Sequence, residues 1–317
     1  MSQSPPKRLV FAGEAIVDVL MWVPALPERG GDMLAESAAV EVGGGFNIMA
    51  AAVRQGLPVV YAGGHGTGPW GDKVRAALAA EGIRLLRDRD PEADTGFDVA
   101  LVEVGGERTF VTTLGAESLR GPGVWGLVRV QPGDAVYVSG YGLVPPGSGQ
   151  VLGAWAAGLP AGVLLFTDPG PLVADIPAGV LDPVLARCEW WSCNQREAGL
   201  LTGSSDPAEA ARRLVRRTGR ADVIVRAGPD GCVVATRVSG PATDYLSLSH
   251  IAAPAVMAVD TTGAGDAHSG VFLAGLAAGL TVGDAARRAN AAAALTVTRP
   301  GAATSPTRAE LDRFLGL

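Results

Sequence analysis

Two carboxylates, Asp260 and Asp266, stand six residues apart in "DTTGAGDAHSGVFLAGLAAG", with small residues between them and an apolar run directly after. A glycine-rich turn at a helix start leaves several backbone N–H groups unpaired and pointing outward. Together with the positive end of the helix dipole they form an anion site. Gly263, Ala264 and Gly265 carry no side chain large enough to block an approaching phosphate. Asp266 beside that site is placed to take the proton of a hydroxyl as the hydroxyl attacks phosphorus, while the N–H groups stabilise the transferred group. The chemistry is phosphoryl transfer to an alcohol. An isolated G-x-G-D favours a simpler reading, in which Asp266 caps its helix.

The elements that must position these residues alternate along the chain. "RLVFAGEAIVDVL" opens with an apolar run that stops at Gly13, the pattern of a buried first strand, and Asp18 reads as the acid that ends this strand segment. "NIMAAAVRQG" follows a glycine cluster and stops at Gly56, as a helix does. "PVVYAGG", "DAVYVSG", "GVLLFTD", "CEWWSCN" and "DVIVRAG" read as further strands, with helical patterns such as "WGDKVRAALAAEGI" and "DPAEAARRLVRRTG" between them. This alternation predicts an α/β fold, a mostly parallel sheet covered by helices on both faces. "DMLAESAAVEVGG" and "GFDVALVEVGGERTFVTTLGAE" break the rhythm by alternating apolar and polar residues, the second with a Gly-Gly turn that suggests a hairpin. They read as a small one-sided sheet or as edge strands of the main one.

The 317 residues suffice for one large domain with a substantial core. With 48% hydrophobic and only 18% charged residues, the balance is that of a compact enzyme rather than a disordered chain. A net charge of −6 and no basic stripe argue against a nucleic-acid partner. Cys188, Cys193 and Cys232 are odd in number and fit no zinc spacing, and His65, His250 and His268 are scattered. Lys7 and Arg8 precede an apolar stretch, but Glu14 and Asp18 interrupt it, and no run is long enough to span a bilayer. The expectation is a cytoplasmic protein with reduced thiols and no membrane partner.

"DTTGAGD" resembles the D-T-x-G-A-G-D signature of the ribokinase-like (PfkB-type) carbohydrate kinases, and the likeness continues in order along the chain. "VGGGFNIMAAAVRQG" resembles the family's Gly-Gly-x-x-x-Asn signature, and "CNQREAGLLTG" its Asn-x-x-Glu stretch. "VIVRAGPDGCVV" resembles the strand and glycine turn against the nucleotide, and "ANAAAALTVTRPGAATSPT" the late helix and loop. The resemblance implies one ribokinase-like domain over 1–317, with lid strands inserted at about 31–43 and 96–115. It implies an ATP-dependent kinase acting on a sugar or sugar-like alcohol. Within the same family a nucleoside kinase remains the alternative, and outside enzymes a ligand-binding relative that has lost catalysis.

Residue by residue, the resemblance makes Asp266 the base and Gly263, Ala264 and Gly265 the anion hole. It assigns Asp18, Gly43, Gly44 and Asn47 to the acceptor. Asn194, Glu197, Arg226, Gly228, Gly231 and Asn290 fall to the nucleotide, with Glu197 reaching Mg²⁺ through water. Asp260, Thr262, Gly301 and Ser305 fall around a monovalent cation, usually K⁺. For Asn194 and Glu197 a plain helix cap is the competing reading, for Asp260 a turn cap, and for Asn290 a solvated helix position. The chain departs from the family where Val42 replaces a glycine, where Phe46 stands beside the sugar position, and where "GGHGTGPWG" lacks an acid. It also departs at "DPGPLV", which keeps Asp168 but lacks an arginine. Phe46 or Trp70 would either stack on a base or pack. Arg108 is the basic residue to watch for a phosphorylated acceptor. The face of Val99, Leu101 and Val104 calls for a partner, and the family's habit makes that a homodimer through the lids.

Overall fold

Successive side chains of the first strand enter two different apolar cores. In the computed structural model, which describes residues 5–104, 107–118, 121, 123–238 and 245–317, β1 (Arg8–Ala12) sends Leu9 and Phe11 to one core and Val10 and Ala12 to the other. The two-residue repeat of a strand dictates the alternation, and burial of both faces is what a parallel sheet requires. The remaining strands are β2 (Ala15–Val23), β3 (Ser37–Gly44), β4 (Val59–Tyr61), β5 (Arg84–Leu85), β6 (Phe97–Glu103), β7 (Arg108–Thr113) and β8 (Asp134–Ser139). They continue as β9 (Leu164–Asp168), β10 (Trp190–Asn194), β11 (Asp222–Arg226), β12 (Cys232–Val238) and β13 (Tyr245–Ile251).

The main sheet runs β13-β12-β11-β10-β9-β8-β1-β4-β5. It is parallel from β11 to β5, and β12 and β13 turn antiparallel at one edge. Helices Gly45–Arg54, Ala264–Ala277 and Val282–Thr296 cover one face; Ser148–Ala157, Ala178–Arg187 and Pro207–Thr218 cover the other. The three cysteines are free and buried in these cores.

A second sheet has the order β3-β2-β6-β7. Its β6–β7 pair is the expected hairpin, although the turn residues Gly105 and Gly106 lie outside the described residues. Its central strand corrects the sequence reading. Asp18 does not end the first strand: the chain leaves the main sheet at Gly13–Glu14, and Asp18 sits in the middle of β2, opposite Glu41 of β3 and beside Asp98 of β6. Apolar residues resume directly after Gly13 and Glu14, so periodicity alone does not reveal that the following strand joins another sheet. Residues 31–36, read with the lid strand, precede β3 as non-strand chain.

Phe46 takes the packing reading. It is buried in the main core, and the half-buried Trp70 packs on Phe97 with ring centroids 5.6 Å apart, so neither ring is free to stack on a ligand.

Helices Gly45–Arg54 and Ala264–Ala277 pack closely because Gly270 has no side chain. A Cβ there would lie 2.5 Å from the Ile48 carbonyl oxygen and 2.8 Å from the Ala51 Cβ. Backbone cannot yield as a side chain does, so Gly270→Val must push the helices apart. The expected cost is about 1–3 kcal/mol or more, read as a lower urea midpoint at unchanged m-value; an unchanged midpoint would show that the helices have room.

Candidate active site

One edge of the main sheet collects polar residues at strand ends. Ser139, Asp168, Asn194 and Arg226 are the last residues of β8, β9, β10 and β11. Strand carboxyl ends are where open α/β sheets bind ligands. A cleft of about 750 Å³ opens there, lined by Asn194, Arg196, Gly199, Ser204, Arg226 and Gly228 among others.

Arg226 is the cleft's buried charge. Its Nη1 donates to Asp168 at 2.7 Å and to the Ser192 hydroxyl, and its Nη2 lies 3.9 Å from Glu197. Asn194 and Glu197 form a reciprocal cap on the helix Gln195–Thr202. The Glu197 N–H donates to Asn194 Oδ1 at 2.9 Å, and the Asn194 N–H donates to Glu197 Oε2 at 2.7 Å. The capping reading is therefore realised. Burial, with Asp168 beside it, pushes the Glu197 carboxyl up to about 6 against the pull of Arg226. A Cβ on Gly265 would stand 3.4 Å from Arg226 Nη2, so the guanidinium reaches the start of the helix Ala264–Ala277.

At that helix start Gly263 is left-handed, at φ 70°, and no side chain caps the N–H groups. Asp266 is not the cap. Its Oδ2 accepts from the Asn47 side-chain amide at 3.0 Å. Burial pushes Asp266 up to about 6, opposed by the Asn47 hydrogen bond and by Arg226, with Asp168 adding to the rise. Asn47 keeps its Oδ1 buried and unpartnered.

The second sheet supplies a row of acids on the face toward this helix. Register puts Glu41, Asp18 and Asp98 side by side on β3, β2 and β6. Asp18 is only 6% exposed, and its Oδ1 has no partner. Burial pushes it up to about 8, with Asp98, Asp266 and Glu41 adding to the rise and Arg108 opposing it. Gly43 makes room for it: a Cβ there would lie 2.0 Å from Asp18 Oδ2. Gly44 adopts φ 58°, which turns the chain from β3 into the Asn47 helix.

Two further contacts tie this sheet to the loops around Asp260. Asp260 Oδ1 accepts from Thr262 N at 2.8 Å and from Arg108 Nη2 at 2.6 Å, and its Oδ2 accepts from Gly301 N at 2.9 Å. Against burial, these donors hold its carboxyl below the usual carboxylate range. Glu41 Oε2 accepts from Ala302 N at 2.6 Å. Thr262 Oγ1 and Ser305 Oγ are buried nearby without partners.

The structure thus brings together Asp18, Asn47, Asp260, Thr262, Asp266, Arg226, Asn194 and Glu197 around one edge. Gly231 and Asn290 do not line the cleft. Asn290 is buried rather than solvated, and its amide donates to the Ile251 carbonyl at 2.8 Å. Gly231 permits the same segment to pass, since a Cβ there would lie 2.1 Å from Ile251 O. Sequence reasoning missed Asp98 and Glu41. The available signal was an acid inside each alternating strand, on the side that also carries Ala100 and Val102 or Ala39.

The model of the pfkB family carbohydrate kinases matches residues 6–309. The chain belongs to that family. It is a sugar kinase, a phosphotransferase that uses ATP. An uncharacterized sugar kinase of Escherichia coli, YegV, is 36% identical over 309 residues, covering 96% of this chain and 93% of the relative. The ATP-dependent ribose-1-phosphate kinase of Halopiger xanaduensis is 31% identical over 317 residues, covering 97% of this chain and 98% of its own. The solved structure of Arabidopsis thaliana ribokinase complexed with ribose and ATP shares the fold, with a TM-score of 0.80 over 99% of each chain at 24% identity.

Asp18 generates a stability prediction. Its folded pKa, about 8, lies above the ordinary 3.8, so the stability it confers is present below pH 4 and lost as pH rises through 8. Asp18→Asn removes that loss. The variant should melt several degrees higher than wild type at pH 8.5 and at the same temperature at pH 4; a lower melting point at pH 8.5 would refute the burial argument.

Proposed function

We propose that the protein transfers the γ-phosphoryl group of ATP to a primary alcohol of a sugar or sugar-like acceptor, with Asp266 as the base. The observation that carries this reading is the Asn47–Asp266 contact at a helix start, which holds a half-buried carboxylate beside N–H groups that no side chain caps. ATP lies in the cleft of Asn194, Arg226 and Gly228 with its phosphates toward Gly265. The acceptor lies between Asp18 and Asn47. As the acceptor oxygen bonds to the γ-phosphorus, its proton passes to Asp266 and the bond from phosphorus to the β–γ bridging oxygen breaks. ADP is the leaving group. The N–H groups of the Gly263–Gly265 turn, with Arg226 next to them, receive the charge on the transferred group.

Mg²⁺ fits this site through water. Among the described residues no three acids, histidines or cysteines converge as a cage, and magnesium that rides on phosphates keeps most of its waters. Glu197 and Asp168 would hold those waters, and the ion would neutralise phosphate charge. A monovalent cation fits beside Asp260, where the unpartnered Thr262 and Ser305 hydroxyls supply oxygen donors. Such an ion would steady the turn that carries the anion hole. The nucleoside reading gains nothing from Phe46 and Trp70, whose rings are engaged in packing.

The cytoplasm is the compartment that suits three free buried thiols; among the described residues no helix is long and apolar enough to cross a membrane. We also retain the homodimer through the second sheet. Val40, Val19, Val99 and Val111 form one apolar row across β3, β2, β6 and β7, and Val111 is 71% exposed. A row of this kind on a solvent face calls for cover. Val104, assigned to the same face from sequence, lies beyond the end of β6.

Asp266→Asn should lower kcat by about 10²–10⁴-fold and leave ATP binding by calorimetry unchanged. In the wild type, kcat/KM should fall below about pH 6, because the base must be ionised and its pKa is raised to about 6. Full activity in the variant would sink the assignment. For the dimer, the wild type should sediment as two copies at micromolar concentration and Val111→Glu as one. A wild-type monomer, or a dimer indifferent to the charge, would exclude this interface.

A further inference from the structure

The row of acids on the second sheet holds more acceptor capacity than one sugar-binding carboxylate needs. Asp98 is 7% exposed, and its Oδ1, like that of Asp18, is buried with no hydrogen-bond partner. The two residues are register partners on adjacent parallel strands, with side chains on the same face. Neighbouring strands lie about 4.8 Å apart, so the two carboxyl groups stand next to each other. Neither can turn away to water. Asp18 lies flat on Gly43, and Asp98 is followed on its face by the fully packed Ala100 and Val102. The third acid of the row, Glu41, is already engaged with the Ala302 N–H. Tyr141, 47% exposed, feels both Asp98 and Asp266, which together with its burial push its hydroxyl up.

A buried carboxylate oxygen left without a donor costs about 1–3 kcal/mol or more. Two such oxygens side by side on one sheet face make a site that a ligand with hydrogen-bond donors completes and that disfavours an anion. We propose that Asp98 is a second acceptor-binding carboxylate. With Asp18 it selects a polyhydroxylated acceptor that presents donors to both acids from neighbouring carbons, and it excludes acceptors bearing a phosphate or carboxylate at that end. Hydroxyl and ammonium donors share the required chemistry.

Arg108 is the cation near enough to act on Asp18; its Nη2 is taken by Asp260 at 2.6 Å, while its Nε is buried with no partner. One partly engaged arginine facing two unpartnered acids is less than the arginine or lysine forks that a phosphosugar site needs at the acceptor. Asp98 is a binding residue with no part in proton transfer, since among the described residues no hydrogen bond joins it to Asp266 or to the anion-hole turn.

The inference rests on the sugar-kinase reading, and the test separates the two. Wild type and Asp98→Asn are titrated calorimetrically with a panel of free sugars and polyols, their amino-substituted counterparts and their phosphate esters, and ADP release is measured in parallel. Wild type should bind at least one uncharged or amino-bearing polyol and none of the esters more tightly than its parent sugar. Asp98→Asn should weaken that binding, and raise the acceptor KM, about ten-fold or more. The ATP KM should hold, the melting temperature should not fall, and kcat should stay within a few-fold. Asp98→Glu, which keeps the charge, should recover part of the loss. Equal affinity in wild type and Asp98→Asn would overturn the proposal, as would preference for the phosphate esters or failure of wild type to bind any unphosphorylated polyol. Should wild type bind the polyol but release no ADP, the kinase reading fails while the assignment of Asp98 stands. A variant too unstable to titrate is replaced by Asp98→Ser, judged by the same affinity ratio.

Discussion

The guanidinium of Arg226 is the charge on which the nucleotide side of the site depends. It enters at the end of β11, takes Asp168 from β9, lies within reach of Glu197 from the helix after β10, and stops beside Gly265. Three separate pieces of the main sheet's edge therefore share one cation. A buried ion pair confers little net stability over apolar packing, but removing one partner leaves an uncompensated charge, at about 3–5 kcal/mol. Arg226 opposes the rise that burial and Asp168 impose on the Glu197 carboxyl. The same guanidinium then lies where phosphate oxygens would approach the helix start.

The other half of the site is built on the opposite principle. Asp18 and Asp98 are buried without a cation of their own, and the cost appears as raised pKa values of about 8 and about 6. Glu197 on the nucleotide side is raised as well, to about 6, but there a guanidinium opposes the rise. This division suits a two-substrate transfer. ATP carries its charge in with its metal and needs a ready-made electrostatic frame. A polyol brings no charge, and it gains most from acceptors that nothing else has satisfied. Asp266 stands at the seam, tied by Asn47 and close enough to both halves to feel each.

Much of this was readable from the chain, because local signals carried it. Apolar runs with glycine stops marked the main strands, the Gly-Gly turn marked the β6–β7 hairpin, and the glycine turn before Asp266 marked the helix start. The change of sheet between β1 and β2 was not readable. Gly13 and Glu14 mark a stop, but nothing in the apolar pattern says that the next strand changes sheet; only pairing with β3 and β6 assigns Ala15–Val23 to another one. The acids of the row were hidden for a related reason. Asp98 reads as the polar half of an alternating strand, the half expected to face water, whereas its face is the buried one. Contacts such as Glu41 to Ala302 join positions far apart in the chain, and no local pattern encodes them.

The two sheets are coupled through the Asp260 loop. Arg108 of β7 and Glu41 of β3, from the two edge strands of the second sheet, hold Asp260 and the Ala302 N–H respectively. Asp260 in turn gathers the N–H groups of Thr262 and Gly301, which fixes the turn leading into Gly263. Lifting the second sheet away would strip Asp260 of its guanidinium and leave Glu41 facing no donor. Lowering it restores both charge-assisted contacts at once, each stronger than a neutral hydrogen bond. The sheet that carries the acceptor acids is therefore also the one that completes the support of the anion-binding turn. Acceptor placement and the geometry of the phosphoryl site are set by the same two contacts, so the turn receives its full support when the sheet covers the acceptor and water is excluded with it.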